Sequence, residues 1–188
     1  MDKKFLNACA KGDIKTVESL INCVYASVNN NAAIRIASAN GNVEMVKLLL
    51  TNSRVNPTVN ENQAIRWASQ YGHTEVVRLL LMDPRVDPSS KKQYAISFAS
   101  KNGRLDVVKV LLEDPRVNCG KQNLALLWAS REKHMEIVNL LLEDHRFNTI
   151  SIDQAIRWAK RDNNLEVVDL LTEHMYRLDG PEYNKNIL

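Results

Sequence analysis

Four arginines recur at near-equal steps, Arg54, Arg85, Arg116 and Arg146, within the strings NSRVNP, DPRVDP, DPRVNC and DHRFNT. A guanidinium is a planar fork that matches phosphate or carboxylate. If the segments carrying these forks stack like packed helices, roughly 10 Å apart, the row could track phosphates or an acidic peptide. Asp83, Asp87, Asp114 and Asp144 lie two residues from the arginines, so the expected reading is local ion pairing that neutralises the row. A second row, Arg35, Arg66 and Arg157, is interrupted by Ser97 and Leu127. A phosphate groove would not skip two central positions, which points to hydrogen bonding within the fold. The aromatics Trp67, Phe98, Trp128 and Trp158, with Ile36 in the equivalent place, could stack bases or sugars. The expected reading is instead a buried core position, where removing a ring costs about 3–5 kcal/mol.

Catalytic and cofactor chemistry find little to work with. The histidines His73, His134, His145 and His174 fall in turns or at helix ends without a common partner. No His/Cys spacing suits zinc. There is no glycine-rich phosphate loop and no Gly-x-Ser-x-Gly elbow, and six glycines give few points of close backbone approach. No enzyme activity, cofactor or metal is expected. Cys9, Cys23 and Cys119 are odd in number and unpaired in spacing, which argues against a disulfide framework. A net charge of +3 exerts no strong pull on nucleic acid or anionic lipid. No apolar run reaches the roughly 18 residues of a membrane span, and the N-terminus meets charge before any signal-length apolar stretch. The expected address is the cytoplasm, or the nucleus.

These residues are positioned by a repeat. The block AIRWAS at 64–69 returns as AIRIAS at 33–38, AISFAS at 95–100, ALLWAS at 125–130 and AIRWAK at 155–160. EVVRLLL at 75–81 returns as EMVKLLL, DVVKVLL, EIVNLLL and EVVDLLT. The anchor alanines Ala37, Ala68, Ala99, Ala129 and Ala159 are separated by 31, 31, 30 and 30 residues. A fixed period of this size means one supersecondary unit copied along a stack, not a single globular core.

Each copy reads as two helices and a connector. The first helix runs about nine residues, as from Asn62 to Gln70. Gly72 sits where a left-handed residue ends a helix, and Gly12, Gly41 and Gly103 hold the same place. Thr74 suits an N-cap for the second helix. Val76, Val77, Leu79, Leu80 and Leu81 are apolar nearly all round, so the second helices are expected to form the buried spine. Pro57, Pro84, Pro88 and Pro115 end the copies in short projecting fingers. Residues 5–30 form a degenerate first copy in which 24–30 are connector. Copies follow at 31–61, 62–92, 93–122 and 123–152, and 153–172 make a polar terminal cap carrying Lys160, Arg161, Asp162, Asn163, Asn164, Asp169 and Thr172. Residues 173–188 extend the last helix briefly, break at Gly180-Pro181 and end in a mobile tail.

The Ala-Ser-x-x-Gly-x-x-Glu-Val-Val-x-Leu-Leu-Leu string at 68–81 and Arg-Val-Asp at 85–87 resemble the ankyrin repeat family, over about residues 5–172. The chain departs from that family's pattern in three ways. Gln-Ala-Ile-Arg at 63–66 replaces a Thr-Pro-Leu-His start, the period is shorter than 33, and the turn glycine becomes Lys133 and Asn163 in the last two copies. The resemblance implies an all-α solenoid of helix–turn–helix repeats in a right-handed curve with short fingers. It also implies a binding module whose concave face and finger tips hold another protein. The DPRVDP-type connectors resemble ankyrin repeats of giant amoebal viruses and of some protists and fungi, which would make the partner a host protein in the infected cytoplasm. A ubiquitin-ligase substrate adaptor, and nucleic-acid or acidic-ligand binding along an arginine row, are the alternatives; nucleic acid and membrane are not the expected partners, and a monomer is.

Variation between copies marks where a partner would be read. The pairs Ala39-Asn40, Gln70-Tyr71, Lys101-Asn102, Arg131-Glu132 and Arg161-Asp162 fall at the C-terminal ends of the first helices, which the family presents on its concave side. Asn29, Asn60, Lys91-Lys92, Lys121 and Ser151 lead into those helices and also vary. Lys91, Lys92, Lys101 and Lys121 are expected to form a central basic spot for an acidic partner. The plain alternative is a solvated polar surface. The candidate contact residues are Asn40, Asn60, Gln70, Tyr71, Lys91, Lys92, Lys101, Asn102, Lys121, Arg131 and Glu132.

Overall fold

Six successive helix pairs account for the regular structure of the computed structural model, which describes residues 1–22, 28–117, 124–144, 146 and 149–179, without the side chains of 28–30, 149–150 and 179. The pairs are α1 (Asp2–Lys11) with α2 (Ile14–Leu20), α3 (Val28–Ala39) with α4 (Val43–Leu50), and α5 (Val59–Tyr71) with α6 (Thr74–Leu81). They continue as α7 (Ser90–Lys101) with α8 (Leu105–Glu113), α9 (Leu124–Arg131) with α10 (Met135–Glu143), and α11 (Thr149–Arg161) with α12 (Leu165–Asp179). No strand occurs among the described residues. The first connector is shorter than expected, because Val28 already opens α3. The last helix reaches Asp179, and the expected break at Gly180 and the tail lie outside the described residues.

The turn between paired helices is set by backbone conformation rather than by glycine alone. Gly12 and Gly72 are left-handed, at φ 72° and 88°. Lys133 and Asn163, which replace glycine, adopt the same region at φ 61° and 53°. The residue that caps each second helix is the one before the expected position. His73, not Thr74, precedes the first turn of α6, and Asn42, Arg104 and His134 stand equivalently. The reason is the left-handed residue one place earlier, which turns the chain at once.

The repeated alanines, at most 3% exposed, are buried from Ala37 to Ala159. Ile34, Ile65, Ile96, Leu126 and Ile156 fill in beside them. Such small side chains let the first helices of neighbouring copies approach more closely than the second helices do. The stack therefore curves toward the first helices. This corrects the expectation that the second helices are the buried spine. In α6 only Val76, Val77 and Leu80 are buried; Leu79 and Leu81 are half-buried, and Glu75 and Arg78 face solvent. The second helices are an outer layer with one wet side.

Three residues within the first turn of α5 and of α7 wind the wrong way. Asn60, Glu61 and Asn62 have φ of 52–58°, and Lys91, Lys92 and Gln93 of 53–61°. Left-handed turns cost L-residues roughly 1–2 kcal/mol each. Arg66, only 6% exposed, offsets this by donating from Nε to the Glu61 carbonyl and from Nη2 to the Asn60 carbonyl, both at 2.9 Å. Asn62 Oδ1 accepts from the Asp87 amide at 2.9 Å, and Asn31 Oδ1 from Asn56 at 2.8 Å, tying each turn to its finger. Val55, Val86 and Val117 anchor the fingers in the core.

The C-terminal cap is less polar than expected. Lys160, Arg161, Asp162, Asn163 and Asp169 do face solvent. Asn164 is instead buried and donates to the Ser130 carbonyl at 3.0 Å. Trp158 and Leu165 are exposed at this end, by 41% and 65%.

Candidate functional site

The arginine row belongs to the scaffold. Arg116 pairs with both carboxylate oxygens of Asp114, at 2.9 and 2.6 Å, and donates to the Val86 and Leu81 carbonyls of the preceding copy at 2.9 Å each. Arg146 repeats this with Asp144, Val117 and Leu112. Arg85 pairs with Asp83 and reaches the Val55 carbonyl at 3.3 Å. Each of these three forks thus closes its own finger and stitches it to the neighbour's, whereas Arg54, whose finger carries Asn52 in place of the aspartate, is tied there through its backbone amide, 2.9 Å from Asn52 Oδ1. The arginine hydrogen bond holds the Asp83 and Asp114 carboxyls below the usual range, with burial opposing. Asp87 makes no close ion pair with Arg85 but lends its charge to Arg116 in the next finger. Its carboxylate accepts from the Ser89 amide at 2.9 Å and turns the chain into the next copy.

The second row is structural too. Arg35 Nη1 donates to Gln63 Oε1 across copies at 2.8 Å. Arg66 also lies 4.8 Å from the centroid of the Tyr94 ring in the next copy. Arg157 pairs with Asp153 one turn back.

Of the histidines read from sequence as lacking a consistent partner, His73 and His134 share one, and His145 lies outside the described residues. His73 Nε2 donates to the Ala39 carbonyl at 2.9 Å and His134 Nε2 to the Lys101 carbonyl at 3.0 Å. Arg104 makes the equivalent bond to Gln70 at 3.4 Å, and the shorter Asn42 reaches the carbonyl one residue earlier, that of Cys9, at 3.4 Å. The side chain before each second helix therefore satisfies a carbonyl left open at the end of the previous first helix. Cys9 is buried, and desolvation raises its thiol to about 11, which keeps it unreactive. Among the described residues no group of three or more His, Cys, Asp or Glu side chains could hold a metal, and no helix is long and apolar enough to cross a membrane.

The aromatic row departs from expectation. Trp67, Phe98 and Trp128 are half-buried and Trp158 is exposed; none joins the core. At 100° per residue, Ala64, Ile65, Ala68 and Ser69 form the buried stripe, and Trp67 lies roughly 130° from its centre. The rings therefore sit beside the concave face. They are interleaved with cations. Lys101 Nζ is 4.2 Å from the Trp128 centroid and 5.8 Å from Phe98; Arg131 is 5.6 Å from Trp128, and Arg161 is 4.2 Å from Trp158. Leu124, Leu127, Trp128, Arg131 and Trp158 line a mainly apolar slot of about 110 Å³.

The candidate contact residues divide into separate places. Asn40 and Tyr71, the latter 48% exposed, line an open hollow with Ala10, Ala39 and His73. Asn40 also donates to the Ala10 carbonyl at 3.1 Å. Gln70 is half-buried and accepts from the Tyr94 hydroxyl at 2.9 Å. Asn102 donates back to the Phe98 carbonyl at 2.7 Å. Lys101 and Arg131 meet at Trp128, and Glu132 is exposed beside them. Asn60, Lys91 and Lys92 stand at the other end of the first helices, in the left-handed turns, where Asn60 Nδ2 donates to Gln63 at 3.0 Å and Lys91 pairs with Glu61 at 2.9 Å.

The central basic spot is therefore split. Lys92 stands in the left-handed turn that opens α7 and Lys101 at the helix's C-terminal end, with a kink between them. Lys121 lies outside the described residues. Ser151 is buried, so it reads no partner. Leu124 and Leu127 were missing from the sequence reading as contacts, and Trp128 and Trp158, weighed there as a stacking platform, were assigned to the core; the signal against the core was the off-stripe position of the aromatic in each first helix.

A family model described as ankyrin repeats, three copies, matches residues 5–92 and 81–153. No curated protein matches the chain.

Proposed function

The chain belongs to the ankyrin repeat family, and from that premise we propose that it is a non-enzymatic module that holds another protein against its concave face. One observation carries this reading. Within a single helix, the residues repeated from copy to copy are buried and those that change are largely exposed. Ala64, Ile65, Ala68 and Ser69 are buried in α5, while Tyr71 at its end is open. Asn40, Asn102, Arg131 with Glu132, and Arg161 with Asp162 are exposed in the other copies. A stack needs its repeated residues for packing and leaves the rest free for recognition. An open face of this kind suits a macromolecular surface better than an enclosed small molecule. Three of the four finger arginines are turned into aspartates and carbonyls, so phosphate tracking along the row is not favoured.

The partner we propose is a host protein met in the cytoplasm. The support for this finer reading is the likeness of the DPRVDP-type connectors to those of giant-virus repeats. Affinity capture from source or host lysate tests the face. Wild type is expected to recover partners that Tyr71→Ala combined with Lys101→Ala loses. Equal recovery by both would show that the partner binds elsewhere.

A further inference from the structure

We infer that the slot between Trp128 and Trp158 is a subsite for one apolar side chain of an acidic peptide segment. This rests on the concave-face reading and adds the chemistry of the partner. Leu124, Leu127 and the two rings supply the apolar lining. About 110 Å³ is the liquid volume of three to four waters at ~30 Å³ each, enough for a single aliphatic or aromatic side chain. Leu124 and Trp158 are exposed by 37% and 41%, an apolar pair that the described residues leave open.

The rim selects the sign of the partner. At the C-terminal ends of α7, α9 and α11 stand Lys101, Arg131, Lys160 and Arg161, against Glu132 and Asp162. A helix C-terminus by itself favours cations. Here three of the four lie within 6 Å of the Trp128 or Trp158 ring centroid. A cation over a ring keeps its N–H groups for an incoming carboxylate. Asp162 already shows the geometry, 3.7 Å from Arg131 Nε and 3.5 Å from Arg161 Nε. The same cations stand over the rings where a base would stack, which disfavours single-stranded nucleic acid as the occupant.

The test is selection of a random dodecapeptide display library on the full chain, followed by fluorescence anisotropy of labelled enriched peptides. Enriched peptides are expected to place Asp or Glu on both sides of a Leu, Ile, Met or Phe. Trp158→Ala, and separately Arg131→Glu with Arg161→Glu, should weaken their binding by about tenfold or more. Lys47→Ala, on the exposed side of the outer helix α4, should leave it within about twofold. Binding should also fall with salt and shift the tryptophan emission of wild type more than that of Trp158→Ala. Circular dichroism confirms that each variant is folded. Three results would overturn the subsite: no enrichment over an unrelated protein, enriched peptides without the acidic-apolar pattern, or undiminished binding to both slot variants. If Asn40→Ala with Tyr71→Ala abolishes binding and the slot variants do not, the concave face stands and the subsite falls. Competition by oligothymidine at equal concentration would assign the slot to nucleic acid instead.

Discussion

Gly41 and His73 are fitted to one another across the boundary between copies. A Cβ built on Gly41 would lie 2.5 Å from His73 Nδ1, while the ring's Nε2 donates to the Ala39 carbonyl at 2.9 Å. Gly72 stands against Arg104 and Gly103 against His134 at 2.8 Å in the same way. Where the capping side chain is a short asparagine the constraint relaxes. A Cβ on Gly12 would find Asn42 at 3.6 Å, an ordinary contact, and opposite Asn164 the turn residue is Lys133. Glycine is thus required where the next copy caps with a large side chain and is dispensable where it caps with asparagine, kept as Gly12 opposite Asn42 but replaced by Lys133 opposite Asn164.

Gly12→Ala should cost about 1 kcal/mol, the price of a left-handed alanine. Gly41→Ala should add roughly 1–3 kcal/mol of overpacking. His73→Asn should recover most of that addition, since Asn164 already makes the equivalent bond. Urea unfolding of the single and double variants checks this. Additive losses would show that the ring and the glycine are not coupled.

Lys133→Gly should stabilise the chain by about 1 kcal/mol, because the backbone at φ 61° is one that glycine adopts without penalty. A rise in the thermal midpoint without a change in the denaturant slope is the expected signature.

The hydroxyls of Ser38, Ser69, Ser100 and Ser130 are buried and meet no partner among the described residues. Replacing an unsatisfied buried polar group by an apolar one of similar size is neutral or favourable. Ser69→Ala should therefore leave stability unchanged or raise it. A loss above about 1 kcal/mol would mean that the hydroxyl has a bonded partner, for instance water.

Ile65→Ala, at a fully buried site, should cost about 2–5 kcal/mol. Trp158→Ala, at an exposed one, should cost far less despite removing a larger side chain. Comparable thermal shifts for the two would return the aromatic row to the core.

Acid should weaken the stack through the fingers. The arginine bonds hold Asp83 and Asp114 below their unfolded value of about 3.9. A depressed carboxyl contributes stability that is complete above the unfolded value and is lost as pH falls through the folded one. Unfolding midpoints should thus hold from neutrality to about pH 5 and fall steeply below pH 4. Asp83→Asn with Asp114→Asn should give a lower plateau and a shallower acid limb. An unchanged limb would place the acid sensitivity in other carboxylates.

Much of this architecture is legible in the sequence, for a physical reason. A unit of about thirty residues cannot bury its own apolar face, so its alanines and branched aliphatics must recur in phase, and the left-handed turns stand out as glycine. The arginine and aspartate two residues apart were enough to expect closed pairs. What one strand of text leaves undecided is direction across copies. Whether Trp67 and Trp158 point into the stack or along its face depends on how closely neighbouring helices approach. Small alanines bring the first helices so near that a ring off the stripe has no room inside. The partners of His73 and Arg116 lie about thirty residues away in sequence, on backbone carbonyls whose identity carries no side-chain signal, so only the stacking of one copy on the next assigned them.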